Sequence, residues 1–277
     1  MTEVINVGLI GAGRIGRVHA DNLVHHVPGA NLVAVADIHM EAAEKIAADF
    51  QIPAALQDHR HLMDDKAVDA VVVCSSTDSH SEIVIDAAAV GKHVFCEKPI
   101  DHDLGRIDNV LAAVEKASVK LQVGFNRRFD PNFRRVRELV AAGDIGAPHI
   151  LRITSRDPEP PPINYIKGSG GIFLDMAIHD FDMARFLIDN EVDEIFATGG
   201  VMVDPQIGEA GDIDTALTTL RFANGVLGTI DNSRKSVYGY DQRVEVFGSE
   251  GAVVVSNNTP NTATVSNARG VHSARPL

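Results

Sequence analysis

Tryptophan is absent from this 277-residue chain, aromatic residues make up 5% of it, and cysteine occurs only at Cys74 and Cys96. Two thiols are too few for a disulfide scaffold or a thiolate metal cluster, and both lie in short apolar runs, which fits a reducing cytoplasm. No His/Cys/Asp spacing resembles a zinc site, so no metal is expected. No apolar run approaches the ~20 residues that a membrane helix needs. No basic leader or small-residue cleavage site precedes the apolar run Val4–Ile10, so a signal peptide is not expected either. Positive charge is scarce, with 25 Lys+Arg against 38 Asp+Glu and a net charge of −13. That balance repels phosphate backbones and anionic bilayers, so neither nucleic acid nor a membrane is an expected partner, and a small molecule is.

What is present is ordinary globular composition, 45% apolar and 23% charged, and at ~150 residues per domain the length suggests two modest domains. Up to about residue 124, short β-branched runs alternate with Ala-rich amphipathic stretches, the pattern of βαβ units around a parallel sheet. Strands are expected at Val4–Ile10, Leu32–Ala36, Ala70–Cys74, Val94–Cys96 and Leu121–Val123. Helices are expected at Gly16–Val24, Met40–Phe50, Ser81–Val90 with Gly91 as its left-handed cap, and Leu104–Ala117 capped by Asp103. Beyond residue 124 the runs Ile150–Ser155, Ile195–Val203, Ala216–Phe222, Val226–Ser233, Arg243–Gly248 and Ala252–Ser256 follow one another with little helix between them. They read as a mostly antiparallel sheet, interrupted by helices at Asn132–Ala142 and Phe173–Ile188, with a further strand-like Thr262–Ser266. The Pro- and Gly-rich segment Asp157–Gly171 reads as a loop. The expected fold is therefore α/β plus α+β: a doubly wound Rossmann domain over 1–124, then an α+β domain on an open, mostly antiparallel sheet over 125–277.

The first strand runs into Gly11-Ala12-Gly13-Arg14-Ile15-Gly16 and then a helix, which is the G-x-G-x-x-G dinucleotide fingerprint in its required context. Gly11 permits the tight turn, Gly13 lets backbone approach a pyrophosphate, and Gly16 allows close helix–strand packing, while the helix N-terminus faces the anion. Asp37 ends the second strand 21 residues beyond Gly16, where a carboxylate accepts hydrogen bonds from the adenosine ribose. The cofactor read from this set is NAD; Asp37 would repel the 2′-phosphate of NADP, a preference that Arg14 softens.

Chemistry-bearing residues appear at three further places. Cys96-Glu97-Lys98-Pro99 ends the fifth strand at the carboxyl edge, where open α/β sheets place ligands. Asp175 and His179, four apart in a helical stretch, project from one face, and a carboxylate so placed orients an imidazole that takes a proton from an alcohol. His80, in Ser76-Thr77-Asp78-Ser79-His80, either sits beside the nicotinamide half or merely follows a helix-start cap made by Thr77, Asp78 or Ser79.

Gly11–Gly16, Cys96–Pro99, Gly124-Phe-Asn-Arg-Arg-Phe129 and Asp175-Met-Ala-Ile-His-Asp-Phe-Asp182 together resemble the glucose–fructose oxidoreductase and inositol dehydrogenase family over essentially the whole chain. Ser155-Arg-Asp-Pro158, Ser169-Gly-Gly171 and Tyr238-Gly-Tyr-Asp-Gln242 are most similar to its inositol 2-dehydrogenases. The resemblance implies a cytoplasmic homotetramer that oxidises myo-inositol to the 2-keto product with NAD. Scyllo-inositol, glucose or galactose are alternative substrates, and a non-catalytic NAD-binding regulator or an NAD-assisted glycoside hydrolase are alternative classes. It implies Lys98, Asp175 and His179 as the catalytic set; Asp182, one turn further along, and Arg127, Tyr165 and Tyr240 are expected as polyol contacts beside them. Ser76, Thr77, His80, Glu97 and Lys98 would join Gly11, Gly13, Arg14, Ile15, Gly16 and Asp37 around the cofactor. Relatives continue for several tens of residues past Gly270–Pro276, so the second domain is expected to be truncated here.

Overall fold

A computed structural model of the protein describes residues 4–259, 264–268 and 270–273 and divides into two compact units, Met1–Gly124 and Phe125–Leu277. In the first unit, β1 (Ile5–Ile10), β2 (Ala30–Ala36), β3 (Ala54–Leu56), β4 (Ala70–Val73), β5 (His93–Cys96) and β6 (Leu121–Val123) form a parallel sheet in the order β3-β2-β1-β4-β5-β6. The intervening helices are α1 (Arg14–His25), α2 (Met40–Phe50), α3 (Arg60–Asp64), α4 (Thr77–Ala89) and α5 (Leu104–Ala117). The strands are apolar at successive positions because both faces are covered. Val71 and Val73 pack into one apolar cluster with Ile10, Ile83 and Val84, while Val72 packs into another with Val7, Leu9 and Ile46. The chain reverses its strand order between β1 and β4, which opens a crevice at their carboxyl ends.

Local chemistry sets most boundaries. Asp103 caps α5 by accepting the Arg106 N–H, a contact that contributes about 1 kcal/mol, and Gly91 with φ +78° follows α4. β3 and α3 are three and five residues long, too short for periodicity to reveal. α4 starts at Thr77, four residues before the expected Ser81. Its N-cap is Ser76, with no side-chain cap bond; the cap expected of Thr77, Asp78 or Ser79 is not made, and the Ser79 hydroxyl instead donates to the Ser76 carbonyl.

In the second unit, β7 (Pro148–Arg156), β8 (Val192–Gly200), β9 (Thr215–Phe222), β10 (Leu227–Ser233), β11 (Asp241–Gly248) and β12 (Ala252–Val255) form a sheet in the order β12-β11-β7-β10-β9-β8. Only the β7–β10 pair is parallel. β9 shows the period-2 logic of a one-faced sheet: Ala216, Thr218, Leu220 and Phe222 are buried while Leu217, Thr219 and Arg221 face out. The inner face packs on α6 (Pro131–Ala142) and α8 (Ile178–Ile188) through Phe133, Val136, Met183 and Leu187 against Leu151, Ile153, Leu220 and Ile230. Asp130 caps α6 by accepting from the Asn132 and Phe133 N–H groups, Pro131 opens it and Gly143 ends it. The outer face leaves Phe196, Leu217, Leu227 and Phe247 exposed.

Two expectations change here. The Asp157–Gly171 segment is not all loop: after its prolines the chain makes one helical turn, α7 (Ile163–Ile166), whose N-cap is Pro162. The stretch Phe173–Ile188 is not one α-helix, because Phe173–Ala177 is a π-helical turn leading into α8. A further short helix, α9 (Pro205–Glu209), precedes β9. β13 (Thr264–Asn267) and β14 (Gly270–Ser273) form a separate hairpin; of the expected strand Thr262–Ser266, residues 262–263 lie outside the described residues.

Candidate functional site

The turn after β1 separates glycines that the fold itself requires from one that it does not. At Gly11 φ is +101°, and a Cβ would lie 2.5 Å from the backbone of Cys74 and Ser75. At Gly16 a Cβ would lie 1.9 Å from the Gly11 carbonyl oxygen. Both are dictated by the protein's own packing. Gly13, the N-cap of α1, would meet nothing within 4 Å, so the space before it is open to a ligand. α1 has no side-chain cap and no acidic residue in its first turn, which leaves the N–H groups at Arg14 and Ile15 suited to an anion. Asp37 is fixed over this turn: Oδ2 accepts the Ala12 N–H at 2.7 Å and Oδ1 accepts the His39 N–H at 2.8 Å. Each oxygen keeps a lone pair for a ribose hydroxyl. An uncapped helix start, an unfilled glycine and a fixed carboxylate fit a dinucleotide.

Lys98 leaves the carboxyl end of β5, partly buried, and its peptide bond to Pro99 is cis. The neighbouring Glu97 carboxylate lies 2.8 Å from His19 Nε2 on α1 and accepts the Lys98 N–H at 3.3 Å. It is spent on tying α1 to the strand end, and it fills the space that a side chain at Gly124 would take. Ser76 and Thr77 open α4. His80 is 2% exposed, with Nδ1 2.8 Å from the Pro99 carbonyl and Nε2 3.0 Å from the Ser75 carbonyl. Both ring nitrogens thus face backbone carbonyls, which makes the ring an internal strap. Burial pushes the Cys96 thiol up to about 12 and the Cys74 thiol upward as well, so neither is a thiolate nucleophile.

In the second unit Asp175 sits in the π-helical turn. Its Oδ1 accepts the Tyr165 hydroxyl at 2.8 Å and its Oδ2 accepts Arg234 Nη1 at 3.1 Å. Arg234 is 1% exposed and reaches on through Nη2 to Asp212 Oδ2 at 3.1 Å; Asp212 Oδ1 in turn accepts the Ile172 N–H. His179 follows in α8 with the Phe125 ring edge-on to it. One residue on, Asp180 is fully buried, bonded to Arg127 and 2.7 Å from Asn232 Nδ2. Burial pushes its carboxyl up, against the pull of Arg127 and Asn232.

Two of the expected polyol contacts have partners within the fold. Asp182 is buried and takes both donors of the Arg128 fork, at 2.8 and 2.6 Å, so its oxygens serve the fold. Arg127 is committed to Asp180 and to the Ser155 hydroxyl. Tyr165 and Tyr240 are each about half exposed, Tyr240 just before β11. Among the described residues no cluster of three or more His, Cys, Asp or Glu could hold a metal ion, and no helix is long and apolar enough to cross a membrane.

Residues 5–125 match the model of the oxidoreductase family with an NAD-binding Rossmann fold, and residues 133–254 match the GFO/IDH/MocA C-terminal domain. The chain belongs to the GFO/IDH/MocA oxidoreductase family. It is 51% identical over 273 residues to a myo-inositol 2-dehydrogenase of Thermotoga maritima, covering 99% of this chain and 81% of that protein. A crystal structure of a putative myo-inositol dehydrogenase from Sinorhizobium meliloti superposes with a TM-score of 0.94 at 46% identity, over 99% and 82% of the two chains. A myo-inositol dehydrogenase of Lactobacillus casei, solved with NAD(H) and myo-inositol, superposes with a TM-score of 0.86 at 31% identity, over 99% and 80%.

In this family member, sequence reasoning passed over Arg234 and Asp212. A signal for the first was available. Inward positions of β10 alternate through Gly228, Ile230 and Asn232, and extending that register by two residues puts a guanidinium inside, where a carboxylate partner is needed. Nothing local marks Asp212.

Proposed function

We propose that this oxidoreductase oxidises myo-inositol to 2-keto-myo-inositol with NAD+. The observation that carries the reading is Asp175, held by a buried arginine and a tyrosine hydroxyl one turn before His179, in a chain whose first unit presents an NAD cradle. Bound NAD+ supplies the hydride acceptor for the carbinol hydrogen. His179 takes the hydroxyl proton as that hydride leaves, and Asp175, held in place by its pairing with Arg234, orients and stabilises the imidazolium that results. Lys98 donates a hydrogen bond to the reacting oxygen and steadies its developing charge. Tyr165 and Tyr240 contact the polyol. The cofactor is held by Gly11, Gly13, Gly16, the N–H groups of Arg14 and Ile15, and Asp37, with Ser76, Thr77 and the backbone of Glu97 and Lys98 beyond them.

The test is NADH formation from a panel of myo-inositol, scyllo-inositol, glucose and galactose, with NAD+ and with NADP+. Highest kcat/KM with myo-inositol and NAD+ supports the proposal. Turnover of glucose or scyllo-inositol above myo-inositol would move it to another polyol, and no turnover of any would leave a nucleotide-binding protein without dehydrogenase activity.

We further propose that the protein works in the cytoplasm as a homotetramer joined through the outer face of the second unit's sheet. On that face Phe247, Ile150 and Leu227 are direct cross-strand neighbours, flanked by the pairs Arg152–Glu245 and Arg156–Asp231. An apolar row framed by satisfied charges suits a self-complementary contact. Sedimentation of the wild type against Phe247→Lys reads it.

A further inference from the structure

His80 is a buried histidine to which the proposed chemistry gives no part. We propose that it is a positioning residue for Lys98, holding the lysine's segment in register with the dinucleotide-binding turn; the inference rests on the reading of Lys98 as a catalytic residue.

The ring spans two pieces of backbone with distinct duties. Nδ1 faces the carbonyl of Pro99, the residue after Lys98, at 2.8 Å, and Nε2 faces the carbonyl of Ser75, just beyond β4, at 3.0 Å. The Cys74–Ser75 peptide is the surface on which Gly11 of the cofactor turn rests, so closely that a Cβ there would lie 2.5 Å from it. One imidazole thus joins cofactor turn, β4 end and Lys98 segment through two backbone contacts. On the other side of Lys98, Glu97 Oε2 accepts the Lys98 N–H and the same carboxylate reaches His19 on α1. His80 and Glu97 hold the lysine's backbone from its two ends. A carbonyl oxygen only accepts, so whichever contact is a hydrogen bond is one in which a ring N–H donates. A core-filling residue of the same shape has no such donors, and this separates the two roles.

The test measures kcat, KM for myo-inositol and Kd for NAD+ in the full chain for His80→Phe, His80→Gln, Lys98→Ala and the double variant His80→Phe/Lys98→Ala. Because a displacement near 1 Å at a reacting group can cost ~10²-fold, His80→Phe is expected to lower kcat by about that factor, with Kd for NAD+ within about threefold. His80→Gln, which keeps one donor group, should recover part of the loss. In the Lys98→Ala background His80→Phe should cost less than about twofold, since a residue acting through Lys98 has nothing left to position. The inference is overturned if His80→Phe keeps kcat within about threefold of wild type, or if the two losses multiply in the double variant. Should His80→Phe be insoluble, the same cycle is run with His80→Leu, which also lacks the donors, and read in the same way. Failure of the underlying reading is separate, since it shows as Lys98→Ala alone retaining the wild-type rate.

Discussion

The two units hold their functional groups by different means. In the first, the cofactor turn is made of backbone: Gly11 and Gly16 are glycines because another backbone segment occupies the Cβ position, and Gly13 is a glycine whose Cβ space is empty. In the second, Asp175 is held by charge through Arg234 and Asp212, and α8, which follows its turn, is pinned by Arg127–Asp180 and Arg128–Asp182. Ten of the fourteen buried polar or charged residues among the described residues belong to the second unit. A nucleotide's phosphates and ribose can be met by N–H groups and one carboxylate, which a short motif supplies. Proton transfer needs an imidazole and a carboxylate aimed to within a fraction of an ångström, which takes side chains locked by other side chains.

The difference can be broken most severely at Arg234. Arg234→Met removes a buried cation from between two carboxylates, and is expected to cost about 3–5 kcal/mol in denaturant unfolding together with most of the activity. The half-exposed pair Arg17–Asp49 of the first unit should cost under ~1 kcal/mol when Arg17 is replaced by Met. Equal losses at the two sites would erase the contrast. Next in size, Gly13→Ala should leave the unfolding midpoint of the free protein unchanged and weaken NAD+ by at least about tenfold in a direct titration, since the methyl group enters ligand space only. A loss of stability without a loss of affinity would mean that Gly13 serves the fold.

The smallest effect is a pH dependence carried by two carboxylates of the second unit, Asp241 and Asp180. Burial raises the Asp241 carboxyl, but hydrogen bonds from Arg243, Tyr238 and Asn257 outweigh it and bring the pKa down to about 2. Its stabilisation is therefore present above the ordinary carboxylate pKa and is lost as pH falls through about 2. Asp180 has the opposite sign, because burial raises its pKa: its contribution is full below the ordinary value and is lost as pH rises through the raised one. Thermal midpoints against pH should show a shallower acid limb for Asp241→Asn and a smaller decline on the rising side for Asp180→Asn.

How much could be read beforehand follows the same division. The run from β1 through the turn to Asp37 was legible because strand, glycines, helix and acid are contiguous and each has its own local rule. Lys98, Asp175 and His179 were visible as residue types in suggestive places. The network around Asp175 was not, because its pairs are far apart along the chain: Arg127 and Asp180 by 53 residues, Arg128 and Asp182 by 54, Arg234 and Asp175 by 59. Asp182, one turn beyond His179, reads as a substrate ligand, and its pairing with Arg128, 54 residues away, cannot be seen from its neighbours. The place of His80 is hidden for a related reason, since its partners are backbone carbonyls that no side-chain pattern marks.

The division of labour between the units is tested most directly by His179→Ala, measured for NAD+ affinity and for NADH formation from myo-inositol in the same preparation. With the cofactor held by the first unit and proton transfer carried by His179, Kd for NAD+ should stay within about threefold while kcat falls by ~10²–10⁴. A rate within about tenfold of wild type would contradict the assignment of His179 as the base.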